Sequence, residues 1–585
     1  MDGFFNRVLY VDLTDRTHKK ADIPDEIFMK YLGGKGLGSY LLFHNNKAKT
    51  DPLSHENHLI FVTGCATGSR VHGSSRYGVF TKSPLTGIYS ESYSGGTAAE
   101  YLTRTGYDAI VLHGVSKKPI YVEISDTDVK YHNANEIWGK DTYETENILK
   151  EKYFPKKVGI TTIGPAGENR VKFALLSNDF WHCAGRTGIG AVMGSKKLKA
   201  VVFHGNGRKK VANLDLLNTH WKEMIQKGKS DPGVAAYRKF GTPMMVSLMN
   251  SVGGFPTRYW REGYFKKWKK ISAESLLSRC KVKSRSCPKC FIACSKLSEV
   301  TKGRHKGLRL EGPEYETIYA FGGLCMVEDI EEIIYLNSLC NRLGMDTITA
   351  GNLIAFTIEA VKLKAINERL KYGDVDSIAE LLKKIAHREG LGAVLADGII
   401  HASREWGLEK MAIHVKGMEP AGYDPRVLQG MALAYATSDR GACHLRTTFY
   451  KPELAGIIDP EQTEGKASLF LDYEDRLTIF DTMILCRFFK DMISWEKLET
   501  IVRGTTGLNL NESDLKGISS NISNIVREFN MREGTSRDDD TLPQRFFDEG
   551  LGRQNKVVSR KDFTKLLNDY YRLRGWDTQG TPKTF

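Results

Sequence analysis

Cys287, Cys290 and Cys294, three of the ten cysteines in the chain, fall within eight residues and are the part of it best equipped for chemistry. Their spacing, C-x2-C-x3-C, lets three thiolates converge on one soft inorganic centre without unusual backbone geometry. An iron–sulfur cubane needs four such ligands. The nearest later cysteines, Cys325 and Cys340, fall inside apolar helical patterns, where a buried free thiol is the ordinary reading. The fourth ligand is therefore expected from far down the chain, with Cys486 in Asp481-Thr482-Met483-Ile484-Leu485-Cys486 as the candidate. Zinc is the competing metal. Its sites usually join C-x2-C to a second short pair, and no C-x2-C or H-x3-H partner lies nearby. A radical S-adenosylmethionine site has the mirror spacing, with the wide gap first.

The elements that must position these ligands differ along the chain. Residues 1–207 are rich in β-branched and aromatic runs broken by Gly and Asp turns. Val8–Leu13, Leu59–Val62, Gly78–Thr81, Ala109–Leu112, Ile120–Ile124, Gly159–Ile163 and Ala200–Phe203 read as strands, and Asp25–Leu32 as a helix. The expectation is a mostly β unit with one or two helices. It holds four glycine-rich turns, Gly33–Gly36, Ser94–Gly96, Gly164–Asn169 and Gly185–Gly190, each able to bring backbone amides close to a ligand. With Arg76 and Arg186 in the same unit they suit a phosphate-bearing ligand. None is a P-loop or a Rossmann fingerprint, so a nucleotide is not indicated.

Helical periodicity dominates afterwards. Asp329 is placed to cap a helix with apolar positions from Ile330 to Leu343, ended by Gly344, and Asn352–Ile366 and Ser377–Glu389 continue the pattern. From about residue 416 the chain is again mainly helical, with Gly422, Gly430 and Gly441 marking loops and Arg537–Asp540 a short polar loop. The expected class is α+β: an N-terminal β-rich unit at 1–207 forming a cofactor base, then two mainly helical units at 208–415 and 416–585.

At 585 residues, 41% apolar and 26% charged, the composition is that of a globular protein with a large core. No run approaches the uncharged apolar length of a membrane span, and Met1–Thr14 reads as a strand and not a secretion signal. The expectation is a cytoplasmic protein with reduced thiols. The formal charge of +14 concentrates ahead of the cysteines, at Lys266, Lys267, Lys269, Lys270, Arg279, Lys281, Lys283, Arg285 and Lys289. Nucleic acid is disfavoured, because no recognition motif accompanies the patch. Steering of an acidic electron carrier is the favoured reading.

Taken in order, many segments resemble the aldehyde ferredoxin oxidoreductases, enzymes with a tungsten bis-pterin and one 4Fe-4S cluster. They include Arg76-Tyr77, Thr81–Gly87, Gly106–Asp108, Ile163–Asn169, Gly190–Lys196, Glu311–Glu316, Tyr423–Arg426, Arg440–His444 and Leu573–Trp576. The resemblance covers essentially the whole chain and implies Cys486 as the fourth cluster ligand. It implies cofactor contacts at Arg76, Gly95, Gly185, Arg440 and Arg446, and at Tyr93, His182 and Cys183, where the family usually has Asn, Arg and Ala. Two pterin segments of the form D-x-x-G-L-D and D-x-x-G-L-C are matched by 341–346 and 481–486. The first gives Asn341, Met345 and Asp346, with Asn for the leading carboxylate. The second gives Asp481 and Leu485, with Ile484 for the glycine. A magnesium ion bridging the pterin phosphates is implied too. A Glu and a His that hold an interfacial iron in some dimeric members are matched by Tyr335 and Ala379, so no such iron is expected.

The implied reaction oxidises a small aldehyde to a carboxylic acid with water, two electrons passing through the cluster to ferredoxin. Glu316 is the implied acid/base, His444 the group that hydrogen-bonds substrate oxygen, and Tyr315 an orienting residue. Read without the resemblance, Glu316 is a solvated or helix-terminal charge, His444 an ordinary satisfied histidine. Tungsten and molybdenum are not distinguished, because the pterin sulfurs bind the metal. Two other readings stand beside this one: a relative reducing a carboxylic acid or an aromatic thioester, and a pterin-free iron–sulfur protein with a binding role. The chain is read as a homo-oligomer or a partner of an electron-transfer subunit.

Overall fold

The computed structural model describes residues 1–583. The first two hundred residues build two six-stranded sheets. Strands β1 (Arg7–Asp12), β2 (Thr17–Asp22), β3 (Leu59–Val62), β4 (Arg76–Lys82), β5 (Tyr89–Gly95) and β6 (Ala109–His113) assemble in the order β2-β1-β6-β3-β4-β5. Strands β7 (Ile120–Ile124), β8 (Val129–Asn133), β9 (Gly159–Thr162), β10 (Leu176–Asn178), β11 (His182–Ala184) and β12 (Leu198–Phe203) assemble as β11-β10-β9-β12-β7-β8. Both sheets are mixed, with β1 parallel to β6 and β12 parallel to β7.

The sheets pack face to face. Leu9, Val11, Phe61, Val79 and Ile110 of the first meet Val122, Ile124, Val201 and Phe203 of the second, and Phe61 sets its edge on Phe203 with centroids 5.6 Å apart. The outer faces are covered as well. Ile60, Val62 and Phe80 lie under Leu37, Leu41, Leu477, Phe480 and Ile522, and Ile160, Ala200 and Val202 lie under Leu149. Burial on both faces explains why Leu59–Val62 and Ala200–Phe203 are continuous apolar runs without alternation. Each large side chain so buried contributes roughly 1.5–3 kcal/mol.

This unit holds more helix than expected: α1 (Asp25–Tyr31), α2 (Gly34–Asn45), α3 (Ala98–Arg104), α4 (Thr142–Tyr153), α5 (Pro165–Glu168) and α6 (Ile189–Ser195). Glycines hid several of them. Gly33–Gly36 is not a ligand-facing turn but the start of α2, where a Cβ on Gly34 would stand 2.1 Å from Thr482 O and one on Gly36 2.0 Å from Tyr31 O. Gly164 likewise packs on backbone, 2.5 Å from Leu343 O by the same measure. These glycines admit another part of the same chain.

The remainder is largely helical, with α7 (Leu214–Ser230) and α8 (Pro232–Phe240) leading into it. Asp329 caps the Ile330–Leu343 helix through the Glu331 N–H, and Gly344 ends it in the left-handed region. A three-stranded sheet interrupts the region read as mainly helical: β13 (Cys280–Arg285), β14 (Ser295–Val300) and β15 (Arg309–Glu311), antiparallel in that order. Its first strand is the lysine-rich stretch, whose alternation of charge with Val282 is an edge-strand pattern. Gly430 starts the Gly430–Thr437 helix and does not mark a loop, because only a glycine leaves room for the Phe449 ring 2.1 Å from where its Cβ would be. Arg537–Asp540 is likewise more than a polar loop, since Asp540 is buried and pairs with Lys416 at 2.6 Å and Arg527 at 2.9 Å.

Candidate active site

The cysteine loop joins β13 to β14, so the hairpin holds both of its ends. Lys289 and Ala293 adopt positive φ, folding the loop back on itself. Cys486 reaches it from the far end of the molecule. The Lys466–Met483 helix stops at Ile484, which takes a left-handed conformation, and Cys486 N–H then donates to Gly73 O at 2.9 Å. Cys287, Cys290, Cys294 and Cys486 line one cavity of about 230 Å³. Burial is the main force that pushes Cys287 up to about 11 and Cys290 to about 12, and Cys486 adds like-charge repulsion. Among the described residues no three His, Cys, Asp or Glu side chains come close enough together to hold a single ion. Four sulfurs around one cavity suit an iron–sulfur cluster.

Two further lobes, of about 420 and 260 Å³, adjoin this cavity and share Arg76 and Cys183 as walls with it. Every residue expected at the site lines one or more of the three. Tyr93, Gly95 and His182 stand beside the cysteines. Gly185, Asn341, Met345, Asp346, Tyr315, Glu316 and His444 line the largest lobe, and Arg440, Arg446, Asp481 and Leu485 the third. Helix ends set this convergence: 341–346 and 481–486 each span the end of a helix that closes in a left-handed residue, Gly344 and Ile484. The first turn abuts Gly164, the second abuts Gly34 and Gly64.

The third lobe is strongly cationic. Asp481 accepts from Arg446 at 2.9 Å and also from Arg487. Glu91, held well below the ordinary carboxylate range by Arg446 and Lys35 despite burial, bonds Lys35 at 3.0 Å. Tyr93 donates to the same carboxylate at 2.7 Å. Across the cavity Asp346 pairs with Arg186 at 2.9 Å. Arg440 Nε, Arg446 Nε and Arg487 Nη1 are nevertheless buried without partners. An unmatched buried donor costs about 1–3 kcal/mol, more when charged, so this donor set fits a polyanionic ligand. The glycines leave it space: nothing lies within 4 Å of where a Cβ on Gly185 would be, whereas one on Gly95 would meet Cys287 Sγ at 3.1 Å.

Glu316 sits in a single turn, Tyr315–Thr317, that runs into a π-helical stretch, Ile318–Leu324, of the kind often found at functional sites. Its Oε2 accepts from Gly422 N–H at 3.0 Å, while Oε1 has no hydrogen bond and lies 3.5 Å from His444 Nε2. Burial pushes its carboxyl up to about 8, against the Gly422 N–H and Arg186. Burial, with Arg186, Arg440, Arg446 and Arg487, holds His444 well below its usual range, so it is neutral. Tyr315 commits its hydroxyl to Gly422 O, which leaves its ring to line the cavity.

Several functional side chains escaped the sequence reading. Arg487 is adjacent to Cys486 yet carries no motif, and Glu91 and Lys35 acquire meaning only through contact. The largest lobe carries five aromatic side chains in its wall: Trp181, Tyr237, Tyr423, Tyr450 and Phe488. Tyr423 stacks on Tyr450 at 3.9 Å and lies 5.7 Å from His444, centroid to centroid.

A cationic cavity that opens onto four cysteines and a buried carboxyl–imidazole pair defines a cofactor-dependent redox enzyme. Two family models match the chain, "Aldehyde ferredoxin oxidoreductase, N-terminal domain" over residues 8–205 and "Aldehyde ferredoxin oxidoreductase, domains 2 & 3" over residues 219–584. The chain belongs to the aldehyde ferredoxin oxidoreductase family and is an oxidoreductase of that family. It is 34% identical to the tungsten-containing aldehyde ferredoxin oxidoreductase of Pyrococcus furiosus, with 99% of this chain and 97% of that protein covered. It is 29% identical to the WOR-like subunit of an aliphatic sulfonate oxidoreductase from the same organism, covering 100% and 96%. The fold is shared with the active-site complex BamBC of benzoyl coenzyme A reductase, solved with 1,5-dienoyl-CoA, at a TM-score of 0.87 and 23% identity, covering 100% of this chain and 96% of that one. Among the described residues no helix is long and apolar enough to cross a membrane.

Proposed function

We propose that the chain oxidises an aldehyde to a carboxylic acid, RCHO + H2O → RCOOH + 2 H⁺ + 2 e⁻, and passes the electrons singly to ferredoxin. The observation that carries this reading is the Glu316–His444 pair, buried 3.5 Å apart in a cavity continuous with the cationic lobe and the four cysteines. The tungsten-containing relatives support the cofactor assignment. Arg76, Arg440, Arg446, Asp481, Asn341, Asp346 and the backbone at Gly95 and Gly185 would hold the two pterins and an accompanying magnesium ion. The four cysteines would hold the 4Fe-4S cluster. These groups supply the two-electron oxidation and its relay outward.

The chain's own part is to bind, orient and move protons. Glu316 Oε1 takes the proton of the attacking water or of the hydrated aldehyde, and its raised pKa suits exchange near neutrality. Neutral His444 donates an N–H to the substrate oxygen and stabilises the charge that develops there. The tyrosine and tryptophan wall favours an aryl or bulky apolar aldehyde, and benzaldehyde is expected to show a higher kcat/KM than acetaldehyde. The same wall would accept an aromatic acid or thioester, so turnover is to be assayed in both directions. Ten unpaired cysteines are in keeping with a reducing, cytoplasmic setting.

Glu316→Gln is the direct test. Aldehyde-dependent viologen reduction is expected to fall by about 10²–10⁴-fold, while tungsten and about four irons per chain remain bound. Retained turnover removes Glu316 from the mechanism, and protein purified anaerobically without tungsten or molybdenum removes the oxidation itself.

A further inference from the structure

The charge run ahead of the cysteines is not one surface. Lys267 pairs with Glu328 at 3.0 Å, and Arg279 with Asp329 and Glu331 at 2.9 and 3.0 Å. Both lie beyond the Cys280 end of β13, a strand's length from the cysteine loop, about 17 Å at 3.3–3.4 Å per residue. Only Arg285 and Lys289 of that run adjoin the loop.

Other basic residues gather there instead. Lys289 Nζ reaches Gly68 O at 3.0 Å, and Arg238 donates to Phe291 O at 2.6 Å. Phe291 packs directly on α7, because Gly228 leaves room for it: a Cβ there would stand 2.3 Å from the ring. Arg70 bonds Asn218 near the start of α7 at 2.9 Å. Helical spacing puts Lys222 and Lys229 on the stripe of Asn218, one step around from Trp221 and Gly228, which face the loop. Arg70, Lys222, Lys229, Arg238 and Lys289 are all exposed. Three nearby carboxylates are engaged, Glu100 with Lys289 at 3.2 Å, Glu223 with Lys497 at 2.6 Å and Asp231 as the cap of α8, while exposed Asp215 lies on the stripe of Asn218 and Lys222. At the centre half-buried Trp221 stacks on His72 with centroids 3.5 Å apart, and His72 Nδ1–H donates to Lys289 O of the cysteine loop at 2.8 Å.

We propose that the face formed by Arg70, Lys222, Lys229 and Lys289 around Trp221 is the docking surface for an acidic electron carrier, seated over the cysteine loop, and that the Lys266–Lys270 run takes no part. Charge complementarity names the occupant: among the described residues Arg70, Lys222 and Lys229 have no acidic partner and outnumber exposed Asp215 on the same stripe, and a soft redox centre is expected beneath the loop. This rests on the ferredoxin-linked reading above, but its test does not depend on turnover.

Binding of a recombinant acidic ferredoxin to the intact protein is measured by biolayer interferometry across a salt series, beside viologen-linked aldehyde oxidation. Arg70→Glu with Lys222→Glu is expected to weaken binding about tenfold or more at low salt and to flatten its salt dependence. The viologen rate should be unchanged. Lys266→Glu with Lys269→Glu is expected to change neither. An equal loss from the second pair, no loss from the first, or wild-type binding indifferent to salt overturns the assignment. Should the charge-reversed protein lose viologen activity, Lys222→Gln carries the same comparison with a milder change. Wild-type protein that binds ferredoxin through this face yet oxidises no aldehyde counts against the proposed reaction and not against the surface.

Discussion

A carboxyl and an imidazole buried 3.5 Å apart cannot both carry charge cheaply, and their surroundings decide which does. Burial, reinforced by four arginines, keeps His444 neutral, while burial keeps Glu316 protonated up to about pH 8. If Glu316 is the base, its active form is the ionised one. The kcat/KM is therefore expected to rise with pH, close to tenfold per unit below about 8, and level off above it; a profile flat from pH 6 to 9 contradicts that role. Stability should run the other way. A carboxyl raised from 4.5 in the unfolded chain to about 8 in the folded one favours folding fully below 4.5, and that contribution is lost as pH rises through 8. Glu316→Gln should flatten this alkaline loss in thermal melts. Sequence names Glu316 and His444 only through family resemblance; that they touch, and that arginines surround one of them, depends on burial.

The two helix-ending turns carry the site, and each depends on a glycine elsewhere. Gly34 has φ of +43° and faces Thr482 O, so Gly34→Ala combines backbone strain with a clash against main chain. It is expected to destabilise the protein by about 1–3 kcal/mol and to lower iron content by displacing Cys486, as followed by chemical denaturation and iron analysis. Ile484 shows two effects in opposition. Its left-handed backbone costs about 1–2 kcal/mol, yet its side chain is 1% exposed and packs in the core. Loss of that burial and the resulting cavity outweigh the strain, so Ile484→Gly should be net destabilising by about 1–3 kcal/mol, although glycine is the family's residue. At this scale the Ile330–Leu343 helix was legible because cap, periodicity and terminating glycine are all local. The β13–β14 hairpin was not, because a lysine-rich edge strand also reads as a solvated charge run.

Across the whole molecule the four cysteines join parts that are far apart in sequence. Three hang from a hairpin of the small sheet, and the fourth from a helix that packs on α2 and the first sheet. Cys486→Ser is therefore expected to lose most of the roughly four irons per chain, and also to loosen the seam between these parts, with a lower Tm than a surface Cys→Ser control. Unchanged iron would show that the cavity closes around three ligands.

The amino-acid sequence by itself determined the kinds of ligand, the spacing of three of them, the change from strand to helix and one of the two helix ends that carry the site, the one at Gly344. These follow from residue chemistry and from periodicities that act within a few residues. Tertiary structure alone decided that 341–346 and 481–486 face one cavity, that unpartnered arginines line it, and that the basic face over the cysteines comes from α7 and the Gly68–His72 loop. Those outcomes depend on close approaches between distant segments, glycine against carbonyl and sheet against sheet, and no local pattern encodes them.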